Sequence, residues 1–158
     1  MNASNIIRVK NRVPKFEFPI NLDLGCGGEG HKKSGFIGLD INDYGQEIVW
    51  DLESGIPLPD NSCNTINASQ IFEHVEDLIG IMNECHRVLI PEGILALDVP
   101  EKGHEKAYIP SHIRRFDKYS FDFFQYEDYA KEYGGSLWEL VNLTDDKFIL
   151  FVRLKPVK

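Results

Sequence analysis

The chain has 158 residues, enough for one domain with a real core, and its 42% hydrophobic and 27% charged content is ordinary for a globular protein. A net charge of −8 argues against nucleic acid or an anionic membrane as partner, because phosphate binding needs a surplus of Lys and Arg. The three cysteines, Cys26, Cys63 and Cys85, form no Cys-x-x-Cys pair and fit reduced thiols in a cytoplasmic protein. No apolar run is long enough for a signal peptide core or a membrane span, so no membrane insertion is expected.

Residues 1–18 mix Arg8, Lys10, Arg12 and Lys15 with scattered apolar residues, and Pro14 and Pro19 interrupt any long helix. They read as an N-terminal arm of a single domain spanning 1–158, lying over the sheet or a ligand, or else as a frayed terminus. A first strand runs from Pro19 to Leu24 and breaks into a loop with four glycines in six residues, Gly25 to Gly30. Glycine suits positive φ and places where a ligand lies against bare backbone. A strand ending in such a loop is how open α/β sheets begin a nucleotide site. Gly25-x-Gly27-x-x-Gly30 satisfies the dinucleotide pattern, whereas Asp23-x-Gly25-x-Gly27 resembles the first motif of class I S-adenosylmethionine-dependent methyltransferases, with Glu29 at its third glycine position.

The second strand, Phe36 to Ile41, carries Asp40 at its end, where an acid accepts hydrogen bonds from ribose hydroxyls in nucleotide-binding α/β folds. Between Gly30 and Phe36 there is room for about one turn of helix. A dinucleotide fold needs a full crossover helix there, aimed at the pyrophosphate; a ligand without phosphate does not. Glu47 to Trp50 forms a third strand with Asp51 and Leu52 after it, and Cys63 to Ala68 a fourth ending at Ser69. From Glu73, the apolar residues Val75, Leu78, Ile79, Met82, Cys85, Val88 and Leu89 recur at three- and four-residue steps, predicting an amphipathic helix that stops before Pro91. Gly93 to Val99 is near-continuously apolar, as a buried parallel strand should be. Residues 101–118 form a locally basic loop with His104, His112, Arg114 and Arg115. Ser120 is placed to cap a helix with Phe121, Phe124, Tyr129 and Tyr133 on its apolar side, stopped by Gly134-Gly135. A β-hairpin closes the chain, Trp138–Leu143 and Lys147–Leu154 around a turn at Thr144–Asp146.

This order of elements, with Leu22-Asp-Leu-Gly-Cys-Gly, Gly38-Leu-Asp-Ile, Pro57-Leu-Pro-Asp-Asn-Ser, Glu73-His74-Val75 and Glu84-Cys-His-Arg-Val-Leu-Ile-Pro-Glu-Gly-Ile-Leu, resembles the class I S-adenosylmethionine-dependent methyltransferases. Within them it is similar to the small group that includes quinone-biosynthesis enzymes. The resemblance implies an α/β, Rossmann-like fold, a mostly parallel sheet with a C-terminal antiparallel hairpin and a shortened first helix. It implies S-adenosylmethionine as cofactor, with S-adenosylhomocysteine as product, and methyl transfer to a small-molecule or sugar-like acceptor. Asp23 would then hold the amino group of the methionine moiety, directly or through water. Gly25 and Gly27 would admit the ligand to the backbone, Asp40 would take the ribose hydroxyls and Ile41 would pack on adenine. Asp51 and Leu52 would read the adenine edge, and Ser69 would lie near the reactive methyl. The sequence departs from the family pattern at Glu29, in the missing first helix and at Cys63-Asn64.

Methyl transfer from a sulfonium is an in-line displacement needing alignment and exclusion of water, with no enzyme nucleophile and no metal. A base is required only for a protonated acceptor, and His74 and His112 are the candidates. Arg114 and Arg115 suit an anionic small-molecule acceptor, since a guanidinium grips carboxylates and phosphates with paired bonds. Each assignment has a plainer rival: Asp23 bonding the next loop's amides, Asp51 capping a turn, His74 bonded to backbone, and His112 with the two arginines forming a solvated loop. His31, His86 and His104 show no metal-ligand spacing with the cysteines, and no metal is expected. Two other readings remain, a non-catalytic methyltransferase-like domain serving a partner and an NAD-dependent oxidoreductase.

Overall fold

A computed structural model describes residues 11–28 and 30–158. Seven strands form one sheet: β1 (Ile20–Leu24), β2 (Ile37–Asp40), β3 (Ile48–Val49), β4 (Cys63–Ser69), β5 (Leu89–Pro100), β6 (Trp138–Asp145) and β7 (Ile149–Pro156). Their order is β3-β2-β1-β4-β5-β7-β6. The first five run parallel, while β7 lies antiparallel to both β5 and β6. The expected mostly parallel sheet with a C-terminal hairpin is therefore present. The chain builds outward from β1 in one direction through β2 and β3, then returns to continue through β4 on the other side. That reversal creates a crevice at the carboxyl ends of β1 and β4, where ligands of open α/β sheets bind. Of the N-terminal arm, residues 1–10 lie outside the described residues. Arg12 exchanges backbone hydrogen bonds with Val49 at the edge of β3, and its guanidinium grips both oxygens of Asp43 at 2.9 and 3.0 Å.

Helix α1 spans Leu78–Val88, shorter at its start than the periodicity from Glu73 predicts. Asp77 caps it, its side chain accepting from the Gly80 amide at 2.8 Å, while Glu53 takes the amides of Glu76 and Asp77 from a neighbouring loop. Those anchored amides leave Glu73 to Glu76 as a turn ahead of the helix, and Val75 packs into the core from that turn. Ile81, Met82, Cys85 and Val88 form the buried face. At about 1.5–3 kcal/mol per buried aliphatic side chain, their burial outweighs differences in helix propensity of a few tenths. The chain enters β5 directly at Leu89, before Pro91 and earlier than the predicted start at Gly93.

β5 is not buried on both faces. Leu95, Leu97 and Val99 are in the core, whereas Ile94, Ala96 and Asp98 between them are half-buried. The reason lies upstream: among the described residues, no helix joins β1 to β2 or β2 to β3. A parallel sheet normally takes such crossover helices on one face. Here that face stays partly open, and the near-continuous apolar run reads out as alternation.

The second predicted helix also differs. Ser120 forms a turn instead of a helix cap, its hydroxyl accepting from the Asp117 amide and donating to the Asp117 carboxylate. A 3-10 turn over Asp122–Gln125 follows, then α2 (Glu127–Tyr133). Phe121 and Phe124 are buried as expected, but Tyr129 and Tyr133 are 52% and 59% exposed, because the break at Tyr126 rotates them off the core side. Gly134 ends the helix at φ +73°, a left-handed cap that glycine takes without steric cost.

Two ion pairs of Arg87, with Asp60 and Glu84, hold the loop before β4. Arg87 donates to the carbonyls of Ile56 and Leu58 and to Asp60, and forms paired bonds with Glu84, which itself accepts from the Ile56 amide at 2.7 Å. Arg87 and Glu84 are each about two-thirds buried. Arg87→Ala strands those acceptors and should cost about 2–3 kcal/mol, lowering the melting temperature by roughly 5–10 °C. Thermal denaturation of the variant checks this. A melting temperature equal to the wild type's would mean the loop holds itself.

Candidate functional site

The glycine loop leaves β1 over the carboxyl ends of β1 and β2. Gly25 and Gly27 sit at φ +60° and +64°, the left-handed region. A Cβ added at Gly25 would lie 2.7 Å from the side chain of Ile71, so the close approach also requires glycine. Asp40, at the end of β2, reaches back to the loop: one carboxylate oxygen accepts from the Gly27 amide at 3.0 Å and the other from the Asn42 amide at 2.9 Å. Glu29 lies outside the described residues.

Beside this loop is a cavity of about 220 Å³. Gly25 forms one wall, Asp40 and Ile41 the end of β2, Trp50 to Glu53 the segment after β3, and Ile71, His74 and Val75 the segment after β4. Ile41 is half exposed at its rim. Asp51 lines the cavity and also accepts from the Glu53 amide at 3.0 Å, capping the 3-10 turn Leu52–Ser54. Asp51 thus caps the turn and faces the cavity at once. Trp50, Ile71 and Val75 join the lining without having been singled out by sequence. Trp50 could have been noticed from its place immediately before Asp51, and its indole N–H is buried with no hydrogen-bond partner among the described residues.

Asp23 is 3% exposed, and its two oxygens accept from the Lys33 amide at 2.7 Å and from Asn67 at 2.6 Å. It bonds the next loop's backbone and does not line the cavity. Ser69 also stands apart from the cavity, its hydroxyl donating to Asp98 at 3.1 Å; Gln70 donates to the same oxygen.

The basic loop does come to this end of the sheet. His74 places Nδ1 3.0 Å from the Ser111 carbonyl, and its ring meets that of His112 edge-on at 4.7 Å. Nδ1 of His112 is buried without a partner. Desolvation, then the neighbouring His74, push the His112 pKa below the usual imidazole range. Arg114 closes the loop onto the segment after β4, with Nε donating to the Val75 carbonyl at 3.0 Å and Nη2 to the Glu76 carbonyl. Arg115 lies over the Tyr108 ring at 4.5 Å. The two arginines are thus divided, Arg114 acting as a clasp and Arg115 stacked; both border an open cavity of about 400 Å³ with Leu78 and Phe116. The residue between the clasp and β4 is Glu73, 1% exposed, whose carboxyl burial pushes up to about 7.

Residues 22–97 match the family model described as a methyltransferase domain. A Mycolicibacterium smegmatis protein named "Probable S-adenosylmethionine-dependent methyltransferase" is 31% identical, the match covering 61% of this chain and 46% of the relative. The chain thus spans less than half the length of that curated relative. Among solved structures, an S-adenosylmethionine-dependent methyltransferase from Aquifex aeolicus superposes with a TM-score of 0.63 at 16% identity, covering 89% of this chain and 84% of that one. The Burkholderia thailandensis 1,6-didemethyltoxoflavin-N1-methyltransferase, solved with S-adenosylhomocysteine, superposes at 0.61 with 10% identity, covering 87% and 71%. These likenesses are of fold.

Proposed function

We propose that the chain, whose residues 22–97 match the methyltransferase-domain family model, binds S-adenosylmethionine in the cavity beside the glycine loop and transfers its methyl group to a small-molecule or sugar-like acceptor. The observation that carries this reading is the make-up of the cavity: Gly25, Asp40, Ile41, Asp51 and Leu52 reach one space from the ends of three successive strands. Asp40 accepts the ribose hydroxyls through the lone pairs that Gly27 and Asn42 leave free. Ile41 packs on adenine, and Asp51 with Leu52 reads its edge. The backbone at Gly25 and Gly27 lies against the methionine moiety. Asp23 keeps the loop in shape through the Lys33 amide and meets the methionine amino group through its remaining lone pairs or a water. Ser69 marks the side from which the methyl leaves.

A cavity of this size suits an adenosyl group, and the short segment between Gly30 and Ile37 offers no helix N-terminus for a pyrophosphate, which disfavours NAD. The chemistry asks for alignment and dryness. A hydroxyl acceptor loses its proton to His74 at the cavity edge or to His112 behind it. The loop bearing Arg114 and Arg115 lies where an anionic acceptor would enter. Among the described residues no helix is long and apolar enough to cross a membrane, and all three cysteines are free and buried, which suits a small-molecule enzyme of the cytoplasm.

The second reading, a cofactor-binding domain without catalysis, is favoured by Asp23 and Ser69, which are engaged by Lys33, Asn67 and Asp98 and stand apart from the cavity. Incubation with methyl-labelled S-adenosylmethionine and a panel of carboxylated, phosphorylated and glycosylated small molecules separates the two. Label transfer to an acceptor with release of S-adenosylhomocysteine is the expected result. Tight homocysteine-ligand binding with no transfer to any acceptor would favour the non-catalytic domain.

A further inference from the structure

We propose that Glu73, His74 and His112 form a binding site for one divalent transition-metal ion, with zinc the best match. One potential ligand atom from each residue lies within 4.8 Å of the others. Glu73 is 1% exposed, yet neither carboxylate oxygen has a hydrogen-bond partner among the described residues. Nδ1 of His112 is likewise buried and unpartnered. Burying a carboxylate with nothing against it costs several kcal/mol, so an arrangement that collects two orphaned ligand groups in one place calls for a cation. The nearest arginine does not supply it: the Arg114 guanidinium donates to the Val75 and Glu76 carbonyls.

The surroundings of His74 match those of a metal ligand. Its Nδ1 faces the Ser111 carbonyl, leaving Nε2 available. A ligating histidine usually has its second nitrogen fixed in this way by a backbone carbonyl or carboxylate. The loop is also held against Glu73 independently of any ion, since the amides of Ile113 and Arg114 both donate to the Glu73 carbonyl at 2.9 and 3.3 Å. Two imidazoles and one carboxylate form a donor set that zinc favours and that calcium and magnesium, which prefer all-oxygen shells, do not. Ligand distances of about 2.0–2.2 Å require the three groups to close in slightly around the ion. Three protein ligands leave a fourth position free. His74 also lines the cofactor cavity, so that position borders it. An acceptor bearing a hydroxyl or carboxylate oxygen would occupy it, and with the ion bound His74 and His112 act as ligands in place of the base role open to them without it; this last step rests on the methyl-transfer reading, whereas the metal site itself does not.

The test is calorimetric titration of zinc chloride into the full chain after chelator treatment, with magnesium chloride as the comparison and S-adenosylhomocysteine titrated separately. Zinc should bind at a single site with micromolar or tighter affinity, and magnesium should give no binding. Glu73→Gln and His112→Ala should each weaken zinc binding by at least about fiftyfold. Circular dichroism verifies that both remain folded; the glutamine variant keeps the shape of Glu73 and removes only its charge. Zinc weaker than about 100 µM, or wild-type zinc affinity in both folded variants, overturns the site. Zinc binding without S-adenosylhomocysteine binding supports the site and contradicts the cofactor reading; homocysteine-ligand binding without zinc binding does the reverse.

Discussion

Gly25→Ala should weaken S-adenosylhomocysteine binding by about a hundredfold or more while leaving the chain folded. The φ of +60° costs an L-residue of order 1–3 kcal/mol in strain. The new methyl group would also stand 2.7 Å from Ile71 Cδ1 and Cγ1, so either the loop or Ile71 must move. Overpacking of that kind adds about 1–3 kcal/mol. Gly25 and Ile71 both line the cavity, so the distortion falls on the ligand side of the loop. Gly30→Ala is the internal control. Its φ is +84°, but a Cβ there has nothing within 4 Å, so it carries strain without a clash. Calorimetry should rank the affinities wild type, Gly30→Ala, Gly25→Ala. Equal affinity of the two variants would show that the approach of Ile71 does not shape the site.

Asp40→Ala is expected to reduce the same affinity by roughly tenfold to a hundredfold, since a hydrogen bond to a charged group is worth about 1.5–3 kcal/mol. Two contributions combine here. The carboxylate is the proposed acceptor for the ribose hydroxyls, and it already orders the loop through the Gly27 amide. Asp40→Asn separates them: one carbonyl oxygen can still accept from Gly27, so loop order is largely kept while half the acceptor capacity is lost. Its affinity should fall between wild type and alanine. A folded Asp40→Ala protein with an unchanged dissociation constant would remove Asp40 from the ribose site.

The strands were legible because burial writes itself locally: Leu22, Leu24, Leu39, Ile66 and Leu95 are all fully buried within short apolar runs. The glycine loop and Asp40 were legible for a similar reason, as strand-end residues whose chemistry is tied to position. What could not be read depends on partners distant in sequence. Asp23 bonds a next-loop amide, that of Lys33, as one reading had it, but its second partner, Asn67, lies 44 residues away. The start of α1 was masked because Glu53, from another loop, takes the amides at its threshold. His112 approaches His74 because Arg114 clasps the carbonyls of Val75 and Glu76, and backbone carbonyls carry no sequence signature. The same clasp hides the Glu73–His74–His112 cluster from any search by spacing. β5 misled in the other direction: an apolar run implies two covered faces only when crossover helices exist to cover them.

The cavity at the ends of β1, β2 and β3 is proposed as an adenosyl-methionine site and not a dinucleotide site. Isothermal titration of the full chain with S-adenosylhomocysteine and, separately, with NAD addresses it directly. Saturable binding of S-adenosylhomocysteine that Asp40→Ala weakens, with no measurable heat from NAD, is the expected result. Saturable NAD binding with none for S-adenosylhomocysteine would contradict it.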